Sequence, residues 1–142
     1  MAFLNPEQEQ QIEKAIGLAE NQTSGEIRLH TEQFCDLDDT LQRALEVFYD
    51  LEMDKTQQQN GILIYIAYED KKMAIVGDEG INNVVPKNYW DIIIQEMKSD
   101  FAAGNFEEGI CKAVHEVGEK LKQYFPWNSD DKNELSDKIS NH

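Results

Sequence analysis

The chain has 142 residues, of which 40% are hydrophobic, and this is enough for one domain around a single core. Its 28 acidic residues outnumber its 13 basic residues, so the net charge is −15 with histidine neutral. A field of this sign repels phosphate backbones and anionic membrane surfaces, and we therefore expect neither nucleic acid nor a membrane as a partner.

The sequence predicts a cytoplasmic protein. The amino terminus lacks the basic and apolar regions of a signal peptide, and the longest apolar run, Ile62 to Ala67, is far shorter than the ~20 residues of a membrane span. Cys35 and Cys111 lie far apart, and neither belongs to a CxxC pair. This spacing favours reduced thiols over a disulfide or a zinc site.

The first part of the chain predicts a helix, a strand and a second helix. The helix runs from about Pro6 to Asn21, because Asn5 can cap it and Gln8 completes a capping box. Polar and apolar residues then alternate from Glu26 to His30, as in a half-buried strand. The second helix follows the capping residue Asp39, and its apolar stripe consists of Leu41, Ala44, Leu45, Phe48 and Leu51.

Two strands are predicted in the middle of the chain, after a polar loop at 54–60. The run from Gly61 to Tyr68 is almost entirely apolar and aromatic, so it predicts a central strand covered on both faces. The turn that follows is too short for a crossover helix, so Met73 to Val76 must return antiparallel. The first two strands are joined by a helix and are predicted to be parallel.

Two further helices and a polar tail are predicted after the acidic glycine loop. Pro86 can open the third helix, and Gly104 ends it. Asn105, with an acid three residues later, caps a fourth helix that reaches Tyr124. These elements predict an α/β domain over residues 1–126 with a mixed sheet of three to four strands. Residues 127–142 form a tail or a short appended helix.

The residues from Asp36 to Thr40 spell DxDxT, the signature of haloacid-dehalogenase-type phosphatases, and Asp78 imitates the second acidic motif of that family. The predicted hairpin argues against a shared centre. It sends Asp78 to the opposite end of the sheet, roughly 15–20 Å away for a strand of five or six residues. We therefore interpret Asp38 and Asp39 as helix caps.

Four segments in fixed order carry a family resemblance: TSGEIR at 23–28, NGILIYIA at 60–67, VGDEGINNVVP at 76–86 and FAAGNFEEGI at 101–110. Together they resemble the TPM domain family, which is named after a thylakoid lumenal phosphatase-like protein, a photosystem repair protein and a nematode acetylcholine-receptor modulator. The resemblance extends from the first helix to about Phe125. It implies a three-layer α/β/α sandwich, a divalent-cation site that binds calcium in some members, and a disputed acid phosphatase activity.

This chain resembles a short cytoplasmic bacterial form of the family rather than its exported branch. Many exported members have a less acidic loop where this sequence has Gly77-Asp78-Glu79-Gly80, and they often carry an aspartate where Lys87 follows Pro86. Ligands of the exported members therefore cannot be transferred directly to this chain.

The predicted topology brings acidic and amide side chains to one edge of the sheet. The first strand starts there with Glu26 and the third strand ends there before Asp78, and Asn60, Glu79 and Asn82 could join them. Oxygen ligands of this kind suit Ca²⁺ or Mg²⁺, with a dissociation constant of roughly 10⁻⁵ to 10⁻³ M. The alternative is that Asp78 only caps a turn and that Glu26 pairs with a nearby basic residue.

Two functions remain open from the sequence. The first is a divalent-cation-binding interaction module without strong catalytic activity, because the acidic loop has no evident nucleophile or proton-transfer pair; its protein partner is unknown. The second is a metal-dependent acid phosphatase that acts on phosphomonoesters. The family resemblance supports the second function, as does a helix start near Pro86 that could favour an anion.

Overall fold

Four strands form one mixed sheet in the computed structural model, which describes residues 3–127 and 140–141. They are β1 (Glu26–Glu32), β2 (Gly61–Ala67), β3 (Lys72–Gly77) and the two-residue β4 (Ser140–Asn141). The order across the sheet is β3-β2-β1-β4. β1 is parallel to β2 and to β4, whereas β2 and β3 are antiparallel. The predicted parallel pair and hairpin are both confirmed.

Helices cover both faces of this sheet. They are α1 (Pro6–Glu20), α2 (Thr40–Asp50), α3 (Glu79–Asn82), α4 (Tyr89–Ala102) and α5 (Phe106–Tyr124), with a 3₁₀ turn at Met53–Lys55. Residues of α1, α4 and α5 join one apolar cluster, and residues of α2 and the 3₁₀ turn join the other. The three-layer α/β/α sandwich is confirmed.

The central strand β2 divides the core into these two layers. Its side chains alternate, so that Ile62, Ile64 and Ile66 face the α1, α4 and α5 side. Leu63 and Tyr65 face α2. Every residue of β2 is buried, as expected for a strand covered on both faces.

The starts of the first two long helices agree with the sequence pattern. The Asn5 side chain accepts a hydrogen bond from the Gln8 backbone at 2.8 Å, and the Gln8 side chain accepts one from the Asn5 backbone at 2.9 Å. At α2, Asp39 Oδ1 accepts from the backbone nitrogens of Leu41 and Gln42 at 3.0 and 3.2 Å. The predicted cap at Asp39 is confirmed, whereas Asp38 is exposed and precedes the capping position.

Two predicted boundaries and one predicted helix cap differ from the structure. The prediction that Pro86 opens a helix is wrong: α4 begins at Tyr89, because the Tyr89 backbone nitrogen closes a turn on the Pro86 carbonyl at 3.0 Å. Asn105 does precede α5, but its side chain makes no capping bond. β1 continues two residues beyond His30, to the buried residue Glu32.

The end of the predicted domain is bonded to the segment between α1 and β1. The Phe125 carbonyl accepts a hydrogen bond from the Ser24 nitrogen at 3.0 Å, and the Trp127 nitrogen donates to the Gln22 carbonyl at 3.1 Å. The predicted tail or appended helix at 127–142 falls mostly outside the described residues. Among the described helices, none combines the length and apolar character that a membrane span requires.

Candidate functional site

The starts of β1 and β2 and the end of β3 meet at one end of the sheet, which we call the lower edge. Glu26 lies opposite Gly61 in the parallel register. The Asp78 nitrogen donates to the Gly61 carbonyl at 2.9 Å, and the Glu26 nitrogen donates to the Asn60 carbonyl at 3.4 Å. Glu26 and Asp78 thus flank β2 from its two sides, about 10 Å apart at two strand spacings.

Asp78 divides its carboxylate between two environments. Oδ1 accepts a hydrogen bond from the Glu79 nitrogen at 2.8 Å and caps the short helix α3. Oδ2 is buried, and no described residue gives it a hydrogen bond. The cap role expected under the simpler alternative is therefore real, but it uses only one of the two oxygens.

Asn60 is the second lower-edge residue with an unused oxygen. Its side chain is 1% exposed, and Nδ2 donates to the Ser24 hydroxyl at 3.2 Å. The side-chain oxygen Oδ1 is buried and accepts no hydrogen bond from the described residues. A buried acceptor left in this state costs about 1–3 kcal/mol, so this oxygen and Asp78 Oδ2 can each accept a donor or a cation.

The other predicted ligands differ in burial and in hydrogen bonding. Glu26 is buried at the start of β1, whereas Glu79 and Asn82 are exposed. Asn82 Oδ1 already accepts a hydrogen bond from Trp90 Nε1 at 2.9 Å. Within the described residues, no group of three or more His, Cys, Asp or Glu side chains is arranged to hold a metal. The unsatisfied oxygens of Asp78 and Asn60 are therefore the first candidates to bind a cation here.

The acidic glycine loop is packed tightly against the loop before β2. A Cβ atom added at Gly80 would lie within 2.6 Å of the Gln59 carbonyl oxygen and closer still to that of Gln58. The Ile81 nitrogen donates to the Gln59 carbonyl at 3.3 Å, and the Ile81 side chain is fully buried. Gly80 is therefore required for the close approach of two backbones, which fixes Asp78 beside Asn60.

A second polar cluster, missed from the sequence, lies at the opposite end of β1 and β2. We call it the upper cluster: Glu32, Arg43, Tyr65 and His30. Glu32 accepts hydrogen bonds from Arg43 Nε at 2.9 Å and Nη2 at 2.7 Å. The Tyr65 hydroxyl also donates to it, and His30 Nε2 lies 3.3 Å from it.

Hydrogen bonding overrides burial in setting the charge of this cluster. Burial alone would raise the pKa of Glu32, but the donors Arg43, Tyr65 and His30 lower that pKa to about 2. The pKa of Arg43 is raised by its hydrogen bond to Glu32. Burial and the same carboxylate raise the pKa of Tyr65. The upper cluster is therefore a satisfied ion pair, with no carboxylate free to act as a base or ligand.

The structure separates the two motifs that imitate a phosphatase. Because β2 and β3 are antiparallel, β3 carries the chain away from the DxDxT end and delivers Asp78 to the lower edge. Asp36 is exposed in the loop after β1, and Asp39 is engaged in capping α2. The topological argument against one shared centre is confirmed.

Comparisons with known proteins identify the family of this chain. A family model described as the TPM domain matches residues 1–120. The NMR structure of the BA42 protein from the psychrophilic bacterium Bizionia argentinensis is similar to this chain, with a TM-score of 0.90 and 45% sequence identity. The match covers 99% of this chain and 97% of the BA42 chain. A search of curated proteins gave no match. The chain belongs to the TPM domain family.

Proposed function

We propose that this TPM domain is an interaction module that binds Ca²⁺ or Mg²⁺ at the lower edge of its sheet. The observation that carries the proposal is the buried, unsatisfied Oδ2 of Asp78, with the unsatisfied Oδ1 of Asn60 on the adjoining segment. A hard divalent cation is the ligand that suits carboxylate, amide and carbonyl oxygens. We place the module in the cytoplasm, since both cysteines are free thiols.

The lower edge also supports a modest affinity. The proposal rests on one carboxylate oxygen of Asp78 and one amide oxygen of Asn60, and water would have to complete the coordination shell. Glu79 is exposed in the first turn of α3 and could reach an ion from solvent. A dissociation constant of roughly 10⁻⁵ to 10⁻³ M is expected for so few protein ligands.

A titration followed by amide NMR tests this proposal. CaCl₂ or MgCl₂ added to millimolar concentration should shift the signals of Asn60, Asp78, Glu79 and Gly80 in a saturable manner. Asp78→Asn keeps a good helix cap but removes the charge, so it should weaken binding by at least tenfold. Asp38→Asn removes an exposed acid far from the lower edge and should leave the titration unchanged.

Two results would overturn the cation proposal. One is the absence of saturable shifts at the lower edge up to 10 mM of either ion, which is about ten times the weakest dissociation constant expected. The other is an equal response of the wild-type protein and the Asp78→Asn variant, which would indicate diffuse attraction of cations to a chain of net charge −15.

The metal-dependent acid phosphatase is the alternative proposal. A cation at the lower edge could neutralise a phosphomonoester and polarise its phosphorus–oxygen bond. We rank it second, because the described residues of the lower edge include no hydroxyl or thiol paired with a base, as covalent phosphoryl transfer requires. Turnover of an aryl phosphate that depends on the added metal and disappears in Asp78→Asn would reverse this ranking.

A further inference from the structure

The outer edge of β3 presents unused backbone hydrogen-bonding groups. β3 is the last strand on its side of the sheet. The Asp78 nitrogen bonds the Gly61 carbonyl, and hydrogen-bonded pairs alternate along an antiparallel ladder. Ala74 and Val76 therefore direct their backbone groups to β2, whereas Met73 and Ile75 direct theirs outward. Within residues 3–127, no hydrogen bond outside the ladder reaches these two residues.

A groove of about 600 Å³ runs along this outer edge. Its floor is formed by β3 itself, one wall by the start of α2, and the other wall by the start of α4. The volume lies within the range of sites that hold small ligands. The groove thus leaves room for an extended segment beside the strand, where an added strand would lie about 4.8 Å from β3.

The two walls of the groove differ in chemistry. Ala74 belongs to the apolar cluster on the α2 side, where Asp38 and Asp39 line the groove. Met73 and Ile75 belong to the cluster on the α4 side, where Trp90 and Ile94 line it. Directly opposite residues of two paired strands place their side chains on the same face of the sheet. In a strand added beside β3, the residue opposite Ala74 would therefore face Asp38 and Asp39, and the residues before and after it would face Trp90 and Ile94.

The charge of the groove selects its occupant. Its described lining residues include Asp38 and Asp39 on the α2 wall, Asp91 on the α4 wall, and one cation, Lys87. No ion pair from the described residues neutralises these acids. A second copy of this chain would bring the same acids and another net charge of −15 against them, which opposes pairing of two β3 edges.

The described carboxyl-terminal residues occupy the other side of the sheet. Ser140 and Asn141 pair with His30 and Thr31 on the outer edge of β1, two strands away from β3. This part of the chain is held at the opposite edge and is not the segment that fills the groove.

We propose that the groove binds an extended basic peptide segment of another protein, which adds a strand to the outer edge of β3. Its sequence alternates apolar side chains, facing Trp90 and Ile94, with lysine or arginine facing Asp38 and Asp39. Backbone hydrogen bonds to Met73 and Ile75 supply the pairing, as in other strand-addition complexes. The proposal uses none of the lower-edge ligands and is independent of the cation proposal.

A model peptide tests the site without knowledge of the natural partner. The probe is a capped nine-residue peptide of alternating valine and lysine, added to the wild-type protein in EDTA so that no divalent cation contributes. Amide exchange of Met73 and Ile75 should slow at least fivefold on saturation, whereas that of Ala74 and Val76, already bonded to β2, should change little. A peptide of alternating valine and glutamate should not bind.

Charge variants separate the groove from general attraction to an acidic protein. Asp38→Asn with Asp39→Asn removes the two exposed acids that face the lysines while keeping a good cap for α2, and should weaken the lysine peptide at least fivefold. The matched control, Asp50→Asn with Asp54→Asn, removes two exposed acids outside the groove and should leave the affinity unchanged. Equal weakening by both double variants would overturn the proposal.

N-methylation of the peptide tests strand addition itself. Methyl groups are placed on every second backbone nitrogen, either on the valines or on the lysines. One pattern should abolish binding and the other should leave it nearly intact, because only alternate residues direct their backbone N–H groups to β3. Equal effects of the two patterns, or no shift of Met73 and Ile75 at 1 mM peptide, would contradict the proposal. Protection of Ile75 that rises with protein concentration alone would instead identify a second copy as the occupant.

Discussion

The carboxylates at the two ends of the sheet differ in how many hydrogen-bond donors they have. At the upper cluster, Glu32 is 2% exposed and receives donors from Arg43, Tyr65 and His30. At the lower edge, Asp78 receives one hydrogen bond from its neighbour Glu79, and its other oxygen is buried without a described donor. A saturated carboxylate holds the fold together, whereas one with a spare oxygen can bind a ligand from outside.

The difference follows from which elements are packed beside each carboxylate. α2 brings a long basic side chain over the end of β1, so the upper cluster is neutralised by the protein itself. No described lysine or arginine forms an ion pair with Asp78 or Glu79. The lower edge is therefore the end at which an external cation would add most to the stability of the fold.

The largest expected effect is the loss of the buried ion pair. Arg43→Met removes the fork that binds Glu32 and leaves an uncompensated carboxylate in the core. We expect the free energy of unfolding to fall by about 3–5 kcal/mol, measured by urea denaturation. Lys112→Met is the control, since the Lys112 side chain is 61% exposed and its ion pair with Asp100 should contribute less than about 1 kcal/mol. Equal losses of unfolding free energy in the two variants would show that the buried ion pair stabilises the fold no more than an exposed one.

The second effect is a pH dependence carried by Glu32. Its pKa falls from 4.5 to about 2 on folding, so the stabilisation is complete above pH 4.5 and is lost as the pH falls towards 2. The loss should amount to about 3 kcal/mol across this window. Urea midpoints should therefore fall less steeply with acid in Glu32→Gln than in the wild-type protein.

A direct titration keeps this prediction testable if Glu32→Gln fails to fold. The side-chain carboxyl signal of Glu32 in the wild-type protein, followed by carbon NMR, should stay in its ionised position down to about pH 3. A midpoint near 4.5 would contradict the hydrogen-bond arrangement of the upper cluster.

The smallest effect concerns the lower edge. Gly80→Ala adds a Cβ against two carbonyl oxygens that belong to the backbone, so the 58–60 loop must move away. We expect a loss of about 2 kcal/mol in unfolding free energy and shifted amide signals at Asn60. Glu79→Ala, an exposed change next to it, should cost no more than about 0.5 kcal/mol. A neutral Gly80→Ala would mean that the two loops are not in close contact.

The position of the lower edge could be predicted because chain lengths decide it. The turn at 68–71 is too short for a crossover, so β3 had to reverse direction and bring Asp78 beside the start of β2. This inference needs only the direction of each strand. The direction follows from the apolar pattern that marks the strands and from the length of the connection between them. The side-chain arrangement there did not follow in the same way, since Asn82 turned out to bond Trp90.

The upper cluster could not be predicted, because its members are brought together by tertiary packing. Glu32 lies 11 residues from Arg43 and 33 residues from Tyr65. The sequence did carry a signal: His30 and Glu32 continue the alternation of β1. The polar residues at this end of β1 can nevertheless be buried, because α2 supplies the arginine that neutralises Glu32.

The start of α4 shows a further limit of local patterns. Proline is favourable in the first turn of a helix, but Pro86 instead closes a turn with Tyr89. The acidic loop also contains the short helix α3, which places Ile81 in the core before the chain reaches Pro86. The chain thus forms a short helix and a turn before α4, which begins at Tyr89 rather than at Pro86.

The hairpin also affects the order in which the chain can assemble. β2 and β3 are joined by residues 68–71, whereas β1 and β2 are separated by residues 33–60, a connection seven times as long. Closing the longer connection costs about 1.7 kcal/mol more in chain entropy. The hairpin can therefore form while β1 is still free, and the ion pair of Glu32 is then added to a sheet that already exists.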